Sequence, residues 1–279
     1  MMSISEKGDA RLRHVNENLT GSYLGPERIS RILKRIEKIA DEKPEDADWL
    51  LMSLASYCGA RAITAWFKDD DLSGLKNWFY AKAKIYFIRK IPPHYNGPVR
   101  SALEYVWLAL PVLVSGHPGM TAWLSGIGTA AKQFRTADVD NPKAIDFFVK
   151  QFFLALRGEW EPLGERCKQV LADPPKSGLG RGHLIDQSFF FALANGNVPE
   201  MTALLKQLVS PRQINAQRGI ETGHTEDLIS TKAILYSIFA RKHGYPIVID
   251  SPYIPNEWLD CESLPHYVDP FEFMKDYEI

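Results

Sequence analysis

The sequence predicts an all-α protein of stacked helical hairpins, repeat-like in its C-terminal half and followed by an extended acidic C-terminal arm. Three observations predict it. Leu154-Ala155-x-x-Gly158, Phe191-Ala192-x-x-x-Gly196 and Phe239-Ala240-x-x-x-Gly244 each close a run of apolar residues at helical spacing. Glycine takes the left-handed angle that ends a helix, and the alanine lets a neighbouring backbone approach. The first two copies sit in a longer match, Phe152 to Leu156 against Phe189 to Leu193 at an offset of 37 and Lys168 to Leu171 against Lys206 to Val209 at 38. Such a period fits helix, turn and helix, as in helical repeats of roughly 34–47 residues. Any Ala-rich helix ending in Gly reads the same way, so the repeat rests on two clear copies and a divergent third. Finally, residues 244–279 carry eight acidic residues against Lys275, a net −7 that leaves the preceding chain at +6.

Along the chain, residues 1–25 are polar and expected to be poorly ordered. Residues 26–279 are expected to form a single helical domain, with N-terminal helices over 26–140, hairpin repeats over 141–243 and the arm over 244–279. Pro26 opens a helix whose Ile29, Ile32, Leu33, Ile36 and Ile39 share a face. Its stripe of Arg28, Arg31, Arg35 and Lys38 reads as a solvated flank before it reads as a nucleic-acid footprint. A second helix runs from Glu45 to Phe67. Asp69, Asp70 and Asp71 read as the acidic entry to a third, Leu75 to Ile91, because negative charge suits a helix N-terminus and no calcium-loop pattern follows. Pro98 and Pro118 start two more, the first broken near Pro111, the second turning Trp123, Leu124, Ile127, Ala131 and Phe134 inward.

Asn141 and Pro142 read as cap and first helical residue of a helix to residue 157, with further helices over 160–172, 183–194 and 198–209. Gly178-x-Gly180-x-Gly182 follows a helix rather than a strand, so it reads as a loop and not as a phosphate cradle. Thr225 reads as the cap of a helix to His243 that is apolar over more than half its circumference, and hence central. Beyond it, residues 246–250 read as a short strand or extended chain. The arm either folds back, anchored by Tyr253, Trp258, Tyr267, Phe271 and Phe273, or offers an acidic face to a basic partner.

Composition narrows the function. Hydrophobic residues make up 45% and the net charge is −1, which is ordinary globular composition with no overall pull towards nucleic acid. Cys58, Cys167 and Cys261 are far apart and form no metal spacing, which suits thiols in a reducing compartment. No apolar leader opens the sequence, and the longest apolar run, Tyr105 to Val114, spans ten residues, so the expected location is cytoplasmic, with no membrane contact. None of the seven histidines has a metal-site spacing, and no nucleophile motif occurs. We therefore expect no enzyme activity, no catalytic residues, no metal and no cofactor. The polar cluster His224-Thr225-Glu226-Asp227 reads as a helix start.

Three stretches carry a resemblance. Asp227 to Ala233, Ala240 to Gly244, and Val248-x-Asp250-Ser251-Pro252-x-Ile254-Pro255, with the aromatic tail Tyr267-x-x-Pro270-Phe271-x-Phe273, resemble the immunity protein 49 family over about residues 185–275. The resemblance implies an all-helical bacterial protein, encoded beside a polymorphic toxin of interbacterial competition, that binds and neutralises that toxin. It brings no catalytic residues. The expected partner is the cognate toxin domain, inhibited by steric occlusion, and the expected contacts are Glu221, Glu226, Asp227, Asp250, Asp260, Glu262 and Asp269. The rivals are a helical scaffold without a toxin partner, and a helical enzyme with titratable groups converging near His183, His224 and Asp227.

Overall fold

A computed structural model describes residues 5–42, 47–90, 103–127, 139–176, 181–216 and 221–279. Among them are twelve α-helices and no strand. The N-terminal part comprises α1 (Glu6–Thr20), α2 (Pro26–Glu42), α3 (Asp48–Phe67), α4 (Leu72–Ile88), α5 (Leu103–Ser115) and α6 (Pro118–Gly126). The C-terminal part comprises α7 (Ile145–Arg157), α8 (Trp160–Ala172), α9 (Leu184–Ala194), α10 (Val198–Leu208), α11 (Pro211–Ala216) and α12 (Thr231–Lys242). Two 3-10 turns, Asn256–Trp258 and Glu272–Asp276, interrupt the extended arm.

The antiparallel pair α3/α4 supports the N-terminal part, with α1 and α2 against α3 and α5 against α4. Two hairpins, α7/α8 and α9/α10, stack through α8 and α9, while α12 packs between α10 and α5. One apolar cluster runs from Ala62 and Phe79 through Leu110, Phe153 and Phe189 to Phe239 and Trp258, so both parts share a core. Every residue of α12 from Ala233 to Ala240 is buried, as its all-round apolarity predicts.

Gly158, Gly196 and Gly244 all have positive φ, at 73°, 65° and 87°. Two of these turns are also contact points for the third. A Cβ on Gly158 would lie 3.0 Å from His243 Cε1, and one on Gly196 would lie 2.9 Å from Tyr245 Oη. His243 also packs edge-on against Trp160 and bonds to the Ala155 carbonyl at 3.1 Å. The third copy forms no hairpin, because extended chain rather than a second helix follows Gly244.

Several elements differ from expectation. Residues 6–20 are helical rather than poorly ordered: the Ser5 hydroxyl caps the first turn, and Val15 and Leu24 are buried against Ala60. Pro111 does not break α5. The bond it forfeits is the one to Trp107, which lies on the exposed side of the helix, where water can replace it. Asn141 and Pro142 form a turn before α7, in which Asn141 Oδ1 accepts the Lys143 N–H at 3.0 Å. The helix expected from Thr225 begins at Thr231, with Ser230 as its cap. Asp71 does cap α4, accepting the Gly74 N–H at 2.8 Å. The expectations on Pro98, Ala131, Phe134, Gly178 and Gly180 lie outside the described residues.

The arm folds back. Trp258, Phe271 and Met274 are buried, and Tyr253, Tyr267 and Phe273 are partly so. One face of α4 grips it: Lys76 Nζ donates to the Asp260 and Glu262 carbonyls at 3.1 and 2.9 Å, and Asn77 pairs with the Val268 backbone. Tyr80 and Lys84 reach the Asp269 carboxylate at 3.1 and 2.8 Å.

Candidate functional site

Two features of the molecule face the question of function: an internal cavity and an acidic outer surface.

The cavity has a volume of about 630 Å³ and lies among α3, α4, α5, α7, α9, α12 and the loop before α12. Its walls are largely apolar, including Phe79, Val149, Phe152 and Leu235, and Trp107, 57% exposed, marks its opening. Polar groups enter from three directions.

The first is α9. Asp186 lies in its first turn and is buried, bonded by Lys232 Nζ at 2.8 and 3.1 Å and by His183 Nδ1 at 2.6 Å. Burial pushes its carboxyl up, but Lys232 and His183 prevail and hold it down at about 2. Tyr236 faces the same carboxylate, and burial followed by that charge drives its hydroxyl well above the ordinary range. One residue on, Gln187 is fully buried; its Oε1 accepts from Gln151 at 2.5 Å, while its Nε2 has no partner among the described residues.

The second direction is the 221–230 loop. Glu221 accepts the Thr231 N–H at 2.7 Å and the Thr225 and Thr231 hydroxyls at 2.8 Å. These bonds, with Asp227 in the left-handed region at φ 63°, hold the segment as a loop and delay α12 to Thr231. Burial raises the Glu221 carboxyl above the usual range, since its donors are neutral. His224 is buried, with Nε2 3.1 Å from Ser56 Oγ and Nδ1 without a partner among the described residues. Burial, with Lys82, His14 and Arg11 around it, lowers its pKa to about 4.

The third is α4. Arg89 is held by both Asp48 oxygens at 2.9 and 3.0 Å, and Lys90 reaches Glu104 at 3.0 Å. Lys82 is different. It is half-buried and lines the cavity beside Gly59. Burial lowers its pKa from the ordinary lysine range.

The expected contact residues do not gather into one surface. Glu221 and Asp269 are consumed by internal bonds, and Glu226 pairs with Arg11 of α1. Asp227 sits in the strained loop. Asp250, Asp260 and Glu262 are exposed. Arg241 donates to the Ile247 carbonyl at 3.1 Å and pairs with Asp260 at 2.6 Å, and Asn256 reaches the Ile249 carbonyl at 3.4 Å. These bonds fix the first half of the arm, along which Asp250, Glu257 and Asp260 are exposed, as is Val248 at 64%.

His183 and His224, two of the three residues at which an enzyme reading expected convergence, share the cavity wall, whereas Asp227 does not line it. Lys82, Asp186, Gln187 and Lys232 escaped the sequence reading. Their signal was a polar residue inside an apolar helical run: Lys82 between Ala81 and Ala83, and Asp186 and Gln187 before Phe189. Among the described residues no cluster of His, Cys, Asp and Glu can hold a metal ion, and no helix is long and apolar enough to cross a membrane. No known family, curated protein or solved structure matches the chain.

Proposed function

We propose that the protein is an immunity protein that binds a cognate antibacterial toxin in the cytoplasm and neutralises it by covering its active site. One observation carries this reading. The three stretches that resemble the immunity protein 49 family meet in one folded unit. Ser230 N–H donates to the Tyr253 carbonyl at 2.9 Å, Arg241 ties the helix end to Ile247, and the Ile254 N–H closes a turn on Ser251. The resembling residues are thus the framework of α12 and the arm's first half; Val248 and Asp250 within them, and Glu257 and Asp260 just after them, are exposed.

An apolar residue among carboxylates is the arrangement of an interface with a dry centre and a charged rim. Such a rim steers a basic partner and makes association fall with salt. The arm itself is a poor subject for truncation. Removing residues 260–279 strips Phe271 and Met274 from the apolar cluster of α2, α3 and α4. It also removes the carbonyl and carboxylate acceptors of Lys76 and Lys84. Loss of toxin binding in that truncation would report misfolding as readily as a lost contact.

Charge reversal is the cleaner test. The purified toxin domain should lose its activity in proportion to added immunity protein, reaching completion at equal amounts. Asp250→Lys with Glu257→Lys should slow association roughly tenfold at low salt and flatten its salt dependence. An unaltered association rate in a folded variant would move the interface elsewhere, and no inhibition by the parent protein would overturn the function.

A further inference from the structure

Among the described residues, the charges around the cavity are matched with one exception. Arg89 is met by Asp48, Lys232 by Asp186, and Lys90 by Glu104. The carboxylates of the wall are likewise taken, Glu104 by Lys90, Asp186 by Lys232 and His183, and Glu221 by the threonines. Lys82 has no carboxylate partner among the described residues. Arg61, which acts with Lys82 on Cys58, adds a further positive charge on this side. A half-buried ammonium without a counter-charge is costly, so this pole of the cavity favours an anion.

His224 lines the cavity within reach of the Lys82 charge. Its Nδ1 is buried and unpartnered among the described residues. Its Nε2 lies 3.1 Å from the Ser56 hydroxyl, and either group can be the donor of that bond. The wall thus offers one cation without a counter-charge at one pole and a largely apolar surface elsewhere. The volume of about 630 Å³ falls within the range of roughly 300–1,000 Å³ usual for small-molecule sites.

We propose that the cavity binds an apolar carboxylic acid, with the carboxylate at Lys82 Nζ and the aliphatic or ring body against Phe79, Val149, Phe152 and Leu235. A single negative charge matches the single unmet cation. A phosphate dianion would add charge with no second free cation among the described wall residues to meet it. A cationic or neutral apolar ligand would leave Lys82 without a counter-charge. Occupancy of this cavity is independent of whether the outer surface grips a toxin.

The test uses the full chain, with decanoate and decan-1-ol as probes, each kept below its aggregation or solubility limit. Binding is followed by calorimetry and by intrinsic tryptophan fluorescence, Trp107 being on the wall. Decanoate is expected to saturate one site per chain and to bind at least roughly tenfold more tightly than the alcohol, the usual contribution of a charge-assisted hydrogen bond. Lys82→Met should weaken decanoate by a similar factor and leave the alcohol unaffected. It removes an unmatched half-buried cation, so it is expected to melt no lower than the parent. A second variant, Leu235→Trp, narrows the apolar end and should weaken both probes. Equal binding of acid and alcohol, unchanged decanoate affinity in folded Lys82→Met, or no saturable binding of decanoate would each overturn the proposal.

Discussion

The Asp186 cluster lends itself to a quantitative prediction. Asp186→Asn keeps the shape of a buried side chain and removes its charge, leaving Lys232 and His183 facing an amide. Two routes give the cost. A carboxyl held at about 2 instead of 3.8 stabilises the folded state at neutral pH by about 2 kcal/mol. Its folded value lies below the unfolded one, so this contribution is complete above pH 3.8 and is lost as pH falls towards 2. The variant also leaves the Lys232 ammonium, mostly buried at 14% exposure, without its partner, and breaking a buried pair costs about 3–5 kcal/mol in total. For a chain of this size each kcal/mol moves the melting temperature by roughly 2–4 °C, so a fall on the order of 10 °C is expected. Thermal melts at pH 7, followed by circular dichroism, read it directly. Asp186→Asn combined with Lys232→Met should recover most of the loss, because an amide beside an apolar chain no longer strands a cation. A single variant melting within about 2 °C of the parent would refute the reasoning, as would a double variant less stable than the single.

Further consequences follow from the same contacts. His224 carries a folded pKa of about 4 against 6.5 unfolded, so the unfolded state binds the extra proton between those values. About 3 kcal/mol of stability should then disappear as pH falls from 6.5 to 4, and His224→Gln should abolish that slope in urea titrations across the window. Gly158→Ala and Gly244→Ala separate backbone strain from contact. Both residues have positive φ, but a Cβ on Gly158 meets the His243 and Trp160 rings, whereas one on Gly244 meets nothing within 4 Å. Gly244→Ala should cost about 1–2 kcal/mol and Gly158→Ala about 1–3 kcal/mol more, read by chemical denaturation; equal costs would remove the ring contact from the account.

The helices were legible wherever apolar residues repeat at three and four, and the helix ends wherever glycine supplies a left-handed residue. Gly158, Gly196 and Gly244 are the clearest cases. The anchoring of the arm was legible in its aromatics, since Trp258 and Phe271 have no other place to go. What escaped was decided by contacts between distant residues. The N-terminal helix exposes most of its surface and declares itself through few apolar positions, among them Leu12, Val15 and Leu19, which gain meaning once α3 is beside them. Thr225, Glu226 and Asp227 read as a helix start by local chemistry, yet Glu221 takes the donors of Thr225 and Thr231 and holds that stretch as a loop. The cavity draws Lys82, Gln187 and His224 from three elements more than thirty residues apart, a juxtaposition no spacing encodes. The acidic arm shows both outcomes at once. Asp269 turned inward to Lys84, while Asp250 and Glu262 stayed outside, and charge count alone treats them alike.

The most direct measurement of the central claim is growth rescue. A bacterial host expresses the toxin domain encoded by the neighbouring upstream gene, alone and together with this protein, and tagged protein is then purified from the surviving cells. Restored growth with co-purification of the two chains in equal amounts is the result the account predicts. A toxin domain that kills in the presence of well-expressed, folded protein, and that fails to co-purify with it, would contradict it.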